Sequence, residues 1–470
     1  MGRRRRRIIE SLEITDLVAE GKGLTRQEDK VIFVENAVPG DVVDVKIKKN
    51  KKSYAVGTVW QLVKPSPDRI EPFCKHFESC GGCKWQFLAY EKQLFFKEKI
   101  VKDNFERLGK LDTSTMLPII GSVKTKNFRN KMEFTFSNNR WILPEEAENE
   151  TEITEWNAVG FHVPKMFNKI VDITECHLQE SPSNEIRNAV RDFALENKFT
   201  FYNLMKHGGL LRNLLIRSSV KGELMVILSC GEPQMENIEA LLTHLDEKFP
   251  QIDSLHYVVN QKLNDTLYDQ DIVTWKGKGY INEYLEELKF KISPKSFFQT
   301  NPYQALSLYN VVRTFADLKG DELVYDLYTG TGSIALFMAR YCKKVIGVEE
   351  VADAIKDAKF NAEENNLSNS EFFVGDVKNE FNKTFVEKHG HPDLLITDPP
   401  RAGLHGDVVQ NILEILPERI IYVSCNPATQ TRDLALMMEC YKIEKIQPVD
   451  MFPHTYHIEN VVLLSKRNEL

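Results

Sequence analysis

Residues Leu323–Gly332 read L-V-Y-D-L-Y-T-G-T-G. An apolar run ends in Asp326, and Gly330 and Gly332 follow it within a few residues. Glycines at such a turn let the backbone approach a ligand closely. A second strand-like run, Lys344–Val348, leads into Glu349, nineteen residues after Gly330. A carboxylate at that place can accept both ribose hydroxyls of an adenosine. The third glycine of G-x-G-x-x-G is missing. With no pyrophosphate to cradle, the motif fits S-adenosylmethionine better than NAD.

Outward from this stretch the pattern is regular. Leu323–Leu327 precedes an expected helix at Ser333–Tyr341, and Lys344–Val348 precedes another at Ala352–Asn365. Expected strands at Glu371–Val374, Leu394–Thr397 and Arg419–Ser424 follow, each with a helical stretch behind it. Alternation of this kind predicts a parallel, doubly wound α/β sheet. The C-terminus adds two strand-like runs, Lys442–Asp450 and Glu459–Ser465.

Two further strands end in reactive groups. Leu394–Thr397 runs into Asp398-Pro399-Pro400-Arg401, where the prolines hold the loop rigid. Arg419–Ser424 runs into Cys425-Asn426-Pro427. Ligands of open α/β sheets bind at the carboxyl ends of strands. A cofactor loop, an acidic loop and a thiol are therefore expected to converge on one crevice. A strand-end thiol beside a cofactor crevice can be an active nucleophile, and methylation of uracil is a reaction that needs one. Carbon 5 of uracil is a poor nucleophile until a thiolate adds at carbon 6, and a base must later remove the carbon 5 proton. The segment His454-Thr455-Tyr456-His457-Ile458-Glu459 offers bases, and His457 and Glu459 are expected to share one strand face.

The upstream half is different. Residues 8–63 hold short strand patterns, Val31–Val34, Val42–Ile47 and Tyr54–Val59, punctuated by Gly21, Gly23, Pro39 and Gly40. This predicts a small β-barrel, followed by a linker at Pro65-Ser66-Pro67. Residues 1–64 carry fourteen Lys and Arg against nine Asp and Glu, a balance of +5 within a chain of net charge -7. A basic module on an acidic body is built to meet a polyanion. Tyr90–Leu108 has helical period, Phe128–Phe136 and Leu211–Ser218 read as strands, and Glu185–Glu196 reads as a helix. Pro144–Trp156, with six glutamates in thirteen residues, reads as a solvated loop.

Cys74, Cys80 and Cys83 form C-x5-C-G-G-C, and Cys176 follows much later. Four thiolates suit zinc or an iron–sulfur cluster, and the spacing leaves both open. Cys230, Cys342 and Cys440 fall in expected core segments and read as inert. Eight cysteines in 470 residues are no disulfide framework. No apolar run approaches the roughly 20 residues of a membrane helix, and the basic start lacks a signal-peptide core. The expectation is a cytoplasmic, multidomain protein.

With these motifs the chain resembles the RNA uracil-5-methyltransferases of the RumA/TrmA family, and most closely the RumA-like branch acting on 23S ribosomal RNA. The resemblance spans nearly the whole chain. Gly21-Lys22-Gly23, Phe33-Val34 and Val38-Pro39-Gly40-Asp41 resemble a TRAM domain, an RNA-binding barrel. Phe298-Gln299-x-Asn301 resembles the segment ahead of the methyltransferase sheet, and Pro453-His454-Thr455-x-His457-x-Glu459 resembles the family's C-terminal motif. The resemblance implies Cys425 as nucleophile and Glu459 as base. It implies S-adenosyl-L-methionine contacts at Gln299, Tyr328, Glu349 and Asp398, and a [4Fe-4S] cluster on Cys74, Cys80, Cys83 and Cys176. It implies three parts: a TRAM barrel over 1–64, an α+β iron–sulfur and RNA-binding region over 65–290, and a Rossmann-like methyltransferase domain over 291–470. The expected partner is 23S ribosomal RNA, met by a monomer without membrane contact. The alternatives are the same chemistry on a tRNA uridine, and a catalytically silent RNA chaperone.

Overall fold

Period-two burial builds the first unit. In the computed structural model, which describes residues 7–149 and 152–468, Val43, Val45 and Ile47 are buried while Asp44, Lys46 and Lys48 are not. Strands Ile8–Glu13, Asp16–Val18, Lys22–Gln27, Lys30–Glu35, Val42–Asn50 and Tyr54–Lys64 form one six-stranded sheet around Leu12, Ile14, Ile32 and Val34. Arg3–Arg6 of the basic start, and Glu150 and Thr151 of the glutamate-rich stretch, lie outside the described residues. The linker is not free. Buried Asp41 accepts from Val38 N at 2.7 Å and Ser66 N at 2.9 Å, and pairs with Arg69 at 2.6 Å.

Strands Lys131–Ser137, Ala158–Val163, Met166–Asp172, Leu211–Ser218, Leu224–Cys230, Ser254–Val259 and Val273–Gly277 form a central seven-stranded sheet. Val226 and Leu228 face helices Ser183–Glu196 and Met235–Lys248. Met225 and Ile227 face the other way, into the core shared with the C-terminal half. Burial on both faces explains why Leu224–Cys230 reads as an unbroken apolar run. The glutamate-rich stretch is not simply a solvated loop: it opens with a short helix, Pro144–Glu148. Glu146 pairs with Arg140 and accepts from Leu143 N at 2.9 Å, which satisfies a free amide at the helix start.

The C-terminal sheet has strands β1 (Leu323–Leu327), β2 (Lys344–Glu349), β3 (Ser370–Val374), β4 (Leu394–Thr397), β5 (Arg419–Ser424), β6 (Tyr441–Val449) and β7 (Glu459–Lys466). Their order is β3-β2-β1-β4-β5-β7-β6. Strands β1 to β5 are parallel, as the alternation predicts, whereas β7 runs antiparallel to both β5 and β6. The cause is the connection: residues 450–458 hold no helix, and parallel neighbours need a long crossover.

Helix Tyr90–Asp103 and its continuation Asn104–Gly109 pack on this sheet, with Val101 and Phe105 in one core with Leu434, Met437 and Tyr441. Lys97 makes a fully buried ion pair with Asp450 at 2.6 Å, and Tyr90 donates to the same carboxylate at 2.8 Å. Among the described residues no helix is long and apolar enough to cross a membrane.

Candidate active site

The glycine loop leaves β1 with the backbone in the left-handed region, at φ 64° for Tyr328, 58° for Gly330 and 79° for Gly332. Tyr328 is held there by donating its N–H to Val348 O at 3.0 Å. A Cβ added at Gly330 would meet no atom within 4 Å, so open space lies beside the loop. Asp326 is buried and accepts from Thr329 Oγ1 at 2.6 Å and Ala335 N at 3.1 Å. Burial pushes its carboxyl up to about 7. Glu349, at the end of β2, accepts from Gly330 N at 3.1 Å and Val351 N at 3.0 Å, so it braces the loop.

Gln299 lies alongside. Thr331 Oγ1 donates to Phe297 O at 3.4 Å, and Asn301 Nδ2 donates to Met451 O at 2.9 Å. The segment Phe297–Asn301 thereby links the glycine loop to the loop before Glu459.

The loops after β4 and β5 are tied together. Asn426 Nδ2 and Thr429 Oγ1 both donate to Arg401 O, at 3.1 and 3.2 Å. Asn426 also caps helix Pro427–Met437. Cys425, Asp398, Glu459 and the Arg401 side chain then share one electrostatic neighbourhood. Burial pushes the Cys425 thiol up to about 11, Glu459 and Asp398 push the same way, and Arg401 opposes them. Burial and Asp326 raise Asp398 to about 7. Burial and then Asp398 lift Glu459 well above the usual carboxylate range, again against Arg401.

Arg401 is the residue that sequence reasoning missed as a site member. Its signal was available in Asp398-Pro399-Pro400-Arg401: a rigid turn that presents an acid also presents the side chain after it.

His457 needs a second correction. It lies in the loop before β7, not on the strand with Glu459. Burial and the nearby cations Arg401, Lys97 and Arg129 lower it to about 4, which leaves it neutral.

Cys74, Cys80, Cys83 and Cys176 are brought together as the lining of one cavity of about 300 Å³. Burial pushes Cys80 and Cys83 up to about 12, and raises Cys74 and Cys176. Arg129 faces Cys176 and Cys83, and Arg187 faces Cys176. A Cβ at Gly81 would stand 2.6 Å from His162 O, so the close turn requires glycine. Among the described residues no three His, Cys, Asp or Glu side chains are gathered as a holder for a metal ion. Cys230 and Cys342 are buried as expected, whereas Cys440 is only half-buried.

The tRNA (uracil-5-)-methyltransferase family model matches residues 218–467, and the TRAM domain model matches residues 3–60. The chain belongs to the tRNA (uracil-5-)-methyltransferase family. It is 52% identical over 454 residues to an uncharacterized RNA methyltransferase of Bacteroides thetaiotaomicron, covering 96% of this chain and all of the relative. An uncharacterized RNA methyltransferase of Porphyromonas gingivalis is 50% identical over 467 residues, covering 97% of this chain and all of that one. Among solved structures, the Pyrococcus abyssi tRNA (uracil-54, C5)-methyltransferase in complex with S-adenosyl-L-homocysteine superposes with a TM-score of 0.75 at 30% identity. That likeness covers 96% of this chain and all of the Pyrococcus chain. The protein is an RNA methyltransferase with a TRAM barrel and a Rossmann-like domain, and S-adenosylmethionine is its methyl donor.

Glu349→Ala removes a carboxylate that also braces Gly330 N. A lost hydrogen bond to a charged group costs roughly 1.5–3 kcal/mol, on the order of tenfold to a hundredfold in affinity. Calorimetry with S-adenosylmethionine should show that loss, with RNA binding unchanged. Unchanged donor affinity would remove Glu349 from the site.

Arg401→Ala removes the cation that opposes the raised Cys425 thiol. The thiol then ionises at higher pH, and with Cys425 as the expected nucleophile the rising limb of the rate profile moves up. The rate at pH 7 should fall roughly tenfold or more and recover in part at alkaline pH. A uniform fall across the profile would show that Arg401 does not act on the thiol.

Proposed function

We propose that this enzyme methylates carbon 5 of a uridine in 23S ribosomal RNA through a covalent adduct between Cys425 and carbon 6 of the base. The observation that carries the reading is the shared neighbourhood of Cys425, Glu459, Asp398 and Arg401 at adjacent strand ends. Arg401 favours the thiolate, whose sulfur bonds to carbon 6 and turns the ring into an enolate. Carbon 5 then takes the methyl group, and the donor sulfur departs with its electron pair as a neutral thioether. Glu459 removes the carbon 5 proton. The carbon 6–sulfur bond breaks, and Cys425 leaves as a thiolate. Burial makes Glu459 a stronger base than a surface carboxylate, and Arg401 keeps its ionised form accessible. Gln299, Tyr328, Glu349 and Asp398 hold S-adenosylmethionine. The uridine leaves its stack to reach the thiol. The basic barrel and the central region hold the RNA by phosphates and by shape.

We infer that the four-cysteine cavity would hold a [4Fe-4S] cluster. Four half-buried cysteines with Arg129 and Arg187 beside them suit an anionic group. The cluster joins distant segments, and methyl transfer needs no electron. Anaerobically prepared protein should be brown, with about four irons per chain, and Cys80→Ser should lose the colour. Stoichiometric zinc without iron would overturn the assignment.

Ribosomal RNA is the target that the resemblance to the TRAM- and cluster-bearing branch favours. A tRNA target is the second reading, because the Pyrococcus neighbour, aligned over 96% of this chain, acts on a tRNA uracil. The enzyme would act as a cytoplasmic monomer. Transcripts of 23S rRNA and of tRNA, incubated with enzyme and donor and mapped by mass spectrometry, separate the readings. 5-Methyluridine should appear in the ribosomal transcript. Its appearance in tRNA alone would move the target to the second reading. Its absence from both would reject RNA uracil methylation.

A further inference from the structure

His454 lies five residues before Glu459, in the helix-free loop between β6 and β7. Its backbone is left-handed, at φ 63°. Histidine is among the few non-glycine residues that tolerate this region. Tethers from three segments hold it. Lys84 N and Trp85 N, directly after Cys83, donate to His454 O at 2.7 and 3.0 Å. His454 N donates to Gln93 Oε1 at 2.9 Å, and Gln93 Nε2 lies 3.3 Å from His454 Nδ1. His454 Nε2 lies 3.0 Å from Thr125 O. Gln93 in turn donates to Trp85 O and Leu88 O, at 3.0 and 2.8 Å. The next residue, Thr455, lines the four-cysteine cavity. Tyr456 packs against the apolar cluster that contains Trp85 and Phe77, as do partly buried Cys74 and Cys83.

The loop leads directly into the base. Glu459 is the first residue of β7, and it is 5% exposed. Its backbone is fixed by pairing with Val449. The sheet does not fix the residues that precede it, among them His457, which faces Arg401. Those residues follow the anchor at His454, and within the loop His457 N donates to Thr455 Oγ1 at 3.2 Å.

We propose that His454 is a positioning residue for the elimination step, locking the loop that leads into Glu459 onto the cysteine-bearing segment. The inference rests on the roles of Cys425 and Glu459 given above. Disturbing this lock should affect removal of the carbon 5 proton more than the addition and methyl transfer that precede it. The cysteine segment is thereby mechanically coupled to the last chemical step, without any electron passing between them.

The test compares wild type, His454→Ala and His454→Asn as full-length chains. Alanine loses both the ring contacts and the tolerance for the left-handed backbone. Asparagine keeps that tolerance and a polar group for Gln93. Each protein is incubated with the ribosomal and tRNA transcripts and radiolabelled S-adenosylmethionine. Covalent protein–RNA adduct and released 5-methyluridine are quantified on denaturing gels. In His454→Ala, released product should fall roughly tenfold to a hundredfold, the scale set by a small misplacement of a catalytic group. The ratio of adduct to product should rise, KM for the donor should hold, and His454→Asn should recover much of the loss. Hydrogen exchange at the Lys84 and Trp85 amides should quicken in His454→Ala.

Parallel loss of adduct and product, or unchanged exchange at those amides, would overturn the proposal. Failure of Glu459→Gln to accumulate adduct while wild type turns over would instead overturn the role given to Glu459. If wild type methylates neither RNA, the proposed function falls, and amide exchange alone decides whether His454 holds the loop.

Discussion

Cys425→Ala should abolish methyl transfer while S-adenosylmethionine binds as tightly as before. The thiol is the only nucleophile in the proposed reaction, and the groups assigned to the donor are others: Gln299, Tyr328, Glu349 and Asp398. Without sulfur addition at carbon 6, carbon 5 has no enolate character. Loss of an attacking nucleophile costs on the order of 10⁴-fold or more. The thiol, pushed up to about 11, is uncharged near pH 7, so removing it leaves no buried charge unpaired. The raised thiol stands among two raised carboxyls with Arg401 as the opposing cation. The variant should therefore fold as well as wild type, and calorimetry should return the same donor affinity. Turnover near the wild-type rate would remove Cys425 from the mechanism. Loss of donor binding together with turnover would show that Cys425 supports the pocket and that its chemistry is untried.

The parts of this molecule legible in its sequence are those where one local pattern has one physical solution. Strands β1, β2, β4 and β5 are apolar runs ended by a polar or turn-forming residue, and the structure reproduces them to within a residue. The barrel follows from alternation such as Val43, Val45 and Ile47 against Asp44, Lys46 and Lys48. What could not be read depends on contacts between distant segments. The direction of β7 follows from a connection too irregular to show its path. Helix Tyr90–Asp103 has an amphipathic period, and a helix over 90–108 is expected to pack on the catalytic domain, but no local pattern fixes the contact; Lys97 meeting Asp450 does. Arg401 was visible in its motif, yet its approach to Cys425 and Glu459 arises only when the loops after β4 and β5 are tied through Asn426. The spacing of Cys74, Cys80 and Cys83 marked a ligand-bearing segment. Its grip on His454, through Lys84 and Trp85 amides, involves backbone atoms that carry no sequence signature.

The second large effect is expected at Glu459. Glu459→Gln should permit sulfur addition and methyl transfer but halt the reaction before elimination, because a carboxamide cannot take the carbon 5 proton. The substitution keeps the shape of a side chain that is 5% exposed. It also removes a carboxyl whose proton affinity burial and Asp398 raise. The fold should therefore be retained. Thiolate formation should become easier, since Glu459 is the larger of the two charges that hold the Cys425 thiol up. Both consequences favour entry into the covalent state, and nothing in the variant favours exit. The enzyme should then accumulate almost wholly as an RNA adduct, seen as a retarded band on a denaturing gel that carries the radiolabelled methyl group. Lost activity without an adduct would place Glu459 before methyl transfer or limit it to structure. An adduct without the labelled methyl would place the stall at the transfer itself, and another group would then have to be the base.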